Sequence, residues 1–207
     1  VSLAFGLVVG LDQEATLASR FGRVAIGGGT FEGALKAAEV LVELGATALL
    51  SFGVAGGLDP ALKPGDVIAA SDILVDGETF RPTLIAPGVT QGRMLGARQV
   101  VRTVADKAAL WSETRAQCVD MESGAVALTA RKYRLPFGAL RAVCDPAGRT
   151  LPPVALTALQ DGSIQFRRVL ASLLRQPGQL PALMALAQDA RKARIALSRL
   201  RMAPMGQ

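Results

Sequence analysis

Two segments constrain this chain more than any others: Cys118-Val119-Asp120-Met121-Glu122-Ser123-Gly124-Ala125 and Leu140-Arg141-Ala142-Val143-Cys144-Asp145-Pro146. Between them lie a helical pattern, a Leu135-Pro136 break and an apolar run beginning at Phe137. That order predicts a helix–turn–strand unit. A helix starting at Asp120 or Glu122 and a strand ending at Asp145 bring two carboxylates to one edge of a sheet. Ligands of open α/β sheets sit beyond the carboxyl ends of the strands. An Asp closing an otherwise apolar strand is therefore a candidate site residue.

The 207 residues suit one domain, here 1–178, with 179–207 as a basic helical appendage. Half of the residues are hydrophobic but only 4% aromatic, so the core is built from Ala, Val and Leu, which favours an α/β fold over a β-sandwich. The net charge of +6 suggests nucleic acid, but aromatics are too few for base stacking and no basic run is interleaved with them. No histidine is present, which removes Ser-His-Asp and Cys-His machinery and argues against a conventional zinc site. Cys118 and Cys144 suit a reducing compartment. They read as buried free thiols and, bordering the two site segments, as neighbours in space. The opening Leu3–Val9 run lacks the positive flank and cleavage site of a signal peptide and reads as a first buried strand. No apolar run reaches the roughly 18 residues of a membrane span.

In chain order, strand 3–9 turns at Gly10 into a helix opened by Asp12 and Glu14. Acids there favour the positive end of the helix dipole. Glu14 is either a solvated first-turn residue or, leaving the end of the first strand, a site carboxylate. Strand 23–26 runs into Gly27-Gly28-Gly29-Thr30, which serves equally as a phosphate-binding nest or a tight turn into a helix ending at Gly45. Strand 47–52 ends in the turn Gly53-Val54-Ala55-Gly56-Gly57-Leu58, whose glycines let a ligand approach the backbone. Residues 66–71 read as a strand, 76–98 as loop plus a short strand near 92–95, and 100–110 as a short helical or mixed piece. Helix 120–134 and strand 137–144 follow, then a helix capped by Asp161 with Phe166, Val169, Leu170, Leu173 and Leu174 in register. The last helix, 180–201, carries Leu183, Leu186, Ala187, Ala190, Leu197 and Leu200 on one face. It either docks on the body or a second subunit, or rests on anionic lipid.

Gly10-Leu-Asp-Gln-Glu14, Ser51–Leu58 with Lys63-Pro-Gly-Asp66, Val119–Ser123 and Arg141–Asp145 together resemble the purine nucleoside phosphorylase and nucleosidase superfamily, which includes the methylthioadenosine/S-adenosylhomocysteine nucleosidases. The resemblance covers roughly residues 3–148. The tail from Asp161-Gly-Ser-Ile164 to Arg175–Pro181 is similar to the hopanoid-associated phosphorylases, to which release of adenine from adenosylhopane is assigned. The resemblance implies a three-layer α/β/α fold around a twisted mixed sheet. It implies Asp145 as the acid at purine N7, Glu122 as the partner of the ribose hydroxyls, Met121 beneath the sugar unless it is core, and Glu14 as the base for water. Val100 falls near the backbone that reads adenine, and Gly53, Val54 and Cys144 line the pocket.

The departures bear on the acceptor. Relatives often have Ser before the acid, where this chain has Cys144, a weaker donor. Ser51 and Val54 stand where bacterial phosphorylases place their Arg and Ser phosphate ligands, which points to water; a phosphate at Gly27–Thr30 points the other way. Metal and organic cofactors are not expected; phosphate is a candidate cosubstrate. The expected assembly is a homodimer, cytoplasmic, with membrane contact through 180–201 as one option. The rival readings are a generic methylthioadenosine or S-adenosylhomocysteine nucleosidase and a non-catalytic nucleoside-binding or lipid-surface protein.

Overall fold

The computed structural model describes residues 4–84, 86–153, 155, 159–160, 163–164 and 177–200. β1 (Phe5–Val9) shows how the layers form. Leu7 and Val9 point to one face and Val8 to the other, all fully buried, because side chains alternate along a strand. Val8 joins a cluster with Phe31, Ala34, Ala38 and Leu41 of α2 (Phe31–Glu43) and Ala125, Val126 and Ala130 of α4 (Ser123–Tyr133). Leu7 and Val9 join Ala18 of α1 (Asp12–Ala18) and Ala193 and Leu197 of α5 (Leu180–Arg199). The sheet therefore has helices on both faces, as the expected three layers require. A fully buried Leu or Val contributes roughly 1.5–3 kcal/mol, so the alternation alone fixes the register.

The sheet is mixed and partly closed. β1 runs parallel to β2 (Arg23–Ile26) and to β3 (Ala48–Gly57). β3 pairs in parallel with β8 (Phe137–Asp145) and antiparallel with β7 (Cys118–Asp120). β7 continues to β6 (Thr90–Gly96), β6 to β4 (Val67–Val75), and β4 returns to β8. Strands β3, β7, β6, β4 and β8 thus form a ring, with β1 and β2 as a wing and β5 (Glu78–Phe80) hairpinned onto β4. α3 (Val104–Thr114) covers a third, smaller cluster of Leu58, Ala116, Val119, Leu110 and Trp111.

Several expectations change. The glycines after Phe52 continue β3 rather than ending it, because β7 and β8 pair with that stretch on either side. Residues 76–98 hold β5 and β6. Of the helical and mixed readings of 100–110, the helical one holds from Val104 onward, with Thr103 as the cap, whose hydroxyl accepts from Asp106 N. The helix expected from Asp120 begins at Ser123, since Cys118–Asp120 is captured as a strand between β3 and β6. Cys118 and Cys144 are free and pack in clusters on opposite faces of the sheet, so they are not neighbours. The helix expected from Asp161 through Leu174 lies outside the described residues, except that Ser163–Ile164 (β10) pairs with Leu159–Gln160 (β9).

α5 is docked on β8 and α1. Asp189, Ala193 and Leu197 are its buried positions, whereas Ala187, expected on the apolar face, is exposed. Arg20 donates to the carbonyls of Leu197, Ser198 and Leu200 at 2.8, 2.7 and 3.2 Å, closing the helix end. No helix among the described residues is long and apolar enough to cross a membrane.

Candidate active site

Four buried charges meet where β1, β3, β7 and β8 come together: Glu14, Asp120, Glu122 and Arg141. Arg141 lies in the middle of β8 and is 1% exposed. Its Nη2 donates to Ser51 Oγ at 2.5 Å and Asp120 Oδ1 at 3.1 Å and pairs with Glu122 Oε2 at 3.1 Å. Asp120 Oδ1 also accepts from the backbone N–H groups of Glu122 and Ser123 at 2.8 and 2.6 Å. The last residue of β7 thereby holds the N–H groups of Glu122, the N-cap of α4, and of Ser123, its first residue, which fixes Glu122 at the helix start. Gly96 and Gly124 let that turn lie against β6; a Cβ on Gly96 would stand 2.7 Å from Gly124 Cα.

Glu14 enters from α1. Its Oε1 accepts from Val54 N at 2.8 Å and its Oε2 from Gly10 N and Leu11 N, each at 2.9 Å. Gly53 makes room for it: at φ +155° a Cβ there would meet Glu14 Oε1 at 2.5 Å and Arg141 Nη1 at 2.7 Å. Gly10 makes room for Glu122 in the same way: its ideal Cβ would lie 2.7 Å from Glu122 Oε1, with Glu14 Oε2 in ordinary contact at 3.5 Å. Arg141 thus pairs with Asp120 and Glu122, and its charge also acts on Glu14. Burial raises the pKa of Glu14 against the opposing Arg141 charge. Glu122 is pushed up to about 7, first by burial and then by Asp120 and Glu14, with Arg141 opposing. Burial disfavours the charged form of an acid, and one cation cannot offset three.

Asp145 closes β8 at the sheet edge. The pairing of β3 with β8 slips at this point, so that Ala55 opposes Val143 while Gly56 opposes Asp145. A bulge of this kind re-aims a side chain. Asp145 is 4% exposed; its Oδ2 accepts from Lys107 Nζ at 2.5 Å, and its Oδ1 is buried without a protein partner. Burial raises its pKa and Lys107 opposes the rise. From Arg141 to Asp145 the strand advances about 13 Å at roughly 3.3 Å per residue. The edge acid and the deeper acid cluster are thus two poles on one strand.

The sequence pattern of the Phosphorylase superfamily matches residues 23–90 and 85–176. The chain belongs to this superfamily. Similar solved structures agree in fold. The 5′-methylthioadenosine/S-adenosylhomocysteine nucleosidase of Helicobacter pylori is 19% identical with a TM-score of 0.66, covering 84% of this chain and 99% of that one. The futalosine hydrolase of the same organism is 19% identical, TM-score 0.65, over 84% and 98%. A nucleosidase of the former kind from Colwellia psychrerythraea, solved with adenine, is 17% identical, TM-score 0.63, over 79% and 90%. Sequence comparison with curated proteins gives no match.

Within this superfamily member the expected site residues fall into three groups. Glu14 and Glu122 meet in the deep cluster, with Met121 half-buried beside them in the turn between β7 and α4, and Asp145 stands at the edge. Gly53 and Val54, expected to line the pocket, both adjoin Glu14: one leaves it space and the other donates its N–H to it. Cys144 is half-buried in the bulge, and its thiol pKa rises to about 12 through burial and then Asp145. Val100 stands apart, 42% exposed in the loop between β6 and α3. At Gly27–Thr30 a turn is built: Gly28 and Gly29 take φ of 70° and 69°, Gly27 N is committed to Val9 O, and Thr30 Oγ accepts from Gly33 N to cap α2.

The sequence alone did not mark Arg141 or Lys107 as site groups; Asp120 entered only as an alternative start of the helix and Ser51 only as the counterpart of a phosphate ligand. Arg141 carried a signal, being the one charge inside a strand that is otherwise apolar up to its closing Asp145. Lys107 carried one too: it shares a helix face with Leu110 and Trp111, where an apolar residue is expected.

Proposed function

We propose that this chain cleaves the N-glycosidic bond of a 5′-modified adenosine and releases adenine, with water as the acceptor. The observation that carries the reading is the pair of poles on β8: an edge acid with one free buried oxygen, and a deeper carboxylate cluster around Arg141. A nucleoside needs both. Its purine must be protonated or hydrogen-bonded at N7 to leave, and its ribose must be held while C1′ gains positive charge.

In this mechanism Asp145 gives its proton from Oδ1 to N7 as the C1′–N9 electron pair departs with the purine. Glu122 accepts from the ribose hydroxyls, and Met121 offers an apolar surface to the sugar. Water forms the new bond to C1′ and gives its proton to Glu14. The excess of carboxylates around Glu14 stabilises a cationic sugar and repels a phosphate dianion. That excess supports water over phosphate. No metal or organic cofactor enters this scheme.

Adenosylhopane is the leading substrate, on the resemblance of the 161–181 tail, and the enzyme would act in hopanoid biosynthesis from the cytoplasm. The second reading is a methylthioadenosine nucleosidase, since a similar structure holds 5′-methylthioadenosine in its active site. The test is adenine release from each nucleoside with and without phosphate, identifying the sugar product. Phosphate-independent release giving the free ribose is expected, and Asp145→Asn should lower it by roughly 10²–10⁴-fold. Release only with phosphate, giving a ribose 1-phosphate, would overturn water as acceptor and return attention to Gly27–Thr30. Tight nucleoside binding with no release, unaltered by Asp145→Asn, would leave a binding protein.

A further inference from the structure

Only one residue of α3 is buried, and it is a lysine. Lys107 is fully buried, and its ammonium meets three acceptors: Asp145 Oδ2, Pro146 O at 3.0 Å and Arg149 O at 2.9 Å. An ammonium has three N–H bonds to give, so none is left for a ligand. The carbonyls that fix it belong to the loop following β8, and that loop is tied down in turn. The Arg149 guanidinium pairs with buried Asp189 of α5, which also accepts from Lys192 Nζ at 3.0 Å. Burial alone would raise the pKa of Asp189, but Lys192 and Arg149 outweigh it and hold the carboxyl low, so it stays an anion.

We propose that Lys107 is the positioning residue of Asp145: by occupying Oδ2 it presents Oδ1 alone to the purine and makes the acid a stronger proton donor at that oxygen. The proposal rests on the reading of Asp145 as the acid. It goes further by assigning α3, the loop after β8 and α5 to the proton-transfer apparatus. The charged and titratable groups around Asp145 are Lys107 from α3, Arg149 from the loop, Asp189 from α5 and the neighbouring Cys144. Lys107 is the one in direct contact. When the proton passes from Oδ1 to N7, the carboxylate left behind is already paired with an ammonium. Solvent then returns a proton to Oδ1 once adenine has gone.

The sign of the effect follows. The acid works only while protonated, so turnover falls as pH rises through its pKa. Lys107 favours the carboxylate and so places that falling limb at lower pH. In Lys107→Met, assayed on whichever nucleoside is cleaved, the limb should move up by about one pH unit or more. At the acid end, where Asp145 is protonated in both proteins, the variant should turn over about tenfold more slowly as a weaker acid. In an Asp145→Asn background the same substitution should cost nothing further. A limb that stays in place, with Asp145→Asn inactive, overturns the role of Lys107 while sparing the acid. Asp145→Asn as active as wild type overturns the acid and this proposal together. Should Lys107→Met not fold, the wild-type chain decides: ionisation of Asp145 should move the 15Nζ resonance of its partner Lys107 at the midpoint of the activity limb, and a resonance indifferent to that midpoint overturns the proposal.

Discussion

The two poles of β8 hold their carboxylates by opposite means. In the deep cluster three acids crowd one guanidinium, and the backbone amides of Gly10, Leu11, Val54, Glu122 and Ser123 supply much of the remaining hydrogen bonding. At the edge one acid faces one ammonium, and the ammonium is held by carbonyls of a single loop. The deep cluster therefore has an excess of negative charge and strong demand for protons or a cation. The edge is balanced and leaves one oxygen over. A cationic sugar suits the first; a purine nitrogen suits the second.

The largest effect should come from removing the shared cation. Arg141→Met removes the buried charge that pairs with Asp120 and Glu122 and acts on Glu14. Breaking a buried ion pair from one side costs about 3–5 kcal/mol, and urea unfolding should show a loss of that order. A loss within the range of surface substitutions would mean that the cluster is wet and the contrast between poles false.

Glycines sharpen the contrast at the next level. Gly53→Ala would force a Cβ into Glu14 and Arg141, at a backbone angle that side chains rarely adopt. Gly56, opposite Asp145 on the same strand, has room: its ideal Cβ would lie 3.4 Å from Val119 Cγ1 and 3.7 Å from Asp145 Oδ2. Overpacking typically costs about 1–3 kcal/mol. Gly53→Ala should lose roughly that much stability and most turnover, while Gly56→Ala should stay near wild type in a thermal melt. Equal losses at the two glycines would remove the geometric case for a rigid deep cluster.

Each pole was half legible in the sequence: Glu14 and Glu122 but not Arg141 at the deep one, Asp145 but not Lys107 at the edge. Glu14, Glu122 and Asp145 sit at the ends of segments whose strand and helix patterns are plain, and a carboxylate at an element end is read locally. Strand β3 was cut short because its glycines signal a turn; the pairing of β7 and β8 on its two sides overrode that local preference. Lys107 and Asp189 were missed for a different reason. Each is a charge on a helix, where solvent is the default environment, and its partner lies far along the chain. The signal available was positional: Lys107 stands on the face of Leu110 and Trp111, and Asp189 on the stripe of Ala193 and Leu197. A charge on an apolar stripe asks for a buried partner.

The smallest effect is a pH dependence, and it separates the poles by sign and size. Glu122 has its pKa raised from 4.5 to about 7 in the folded chain, by burial first. Between those values the folded state holds a proton that the unfolded state has given up. Stability is therefore fully present below about pH 4.5, falls as pH rises through the window, and is flat above about pH 7. Glu122→Gln removes that titration, so its urea midpoint should change less between about pH 5 and about pH 8 than that of the wild type. Asp145→Asn should flatten the profile less, because Lys107 opposes the rise in the Asp145 pKa and shrinks the gap between folded and unfolded values. A Glu122→Gln profile as steep as wild type would place the proton demand elsewhere in the cluster, with Glu14 as the next group to replace. A steeper flattening by Asp145→Asn would mean that the edge, not the deep cluster, is where the fold stores its unbalanced charge.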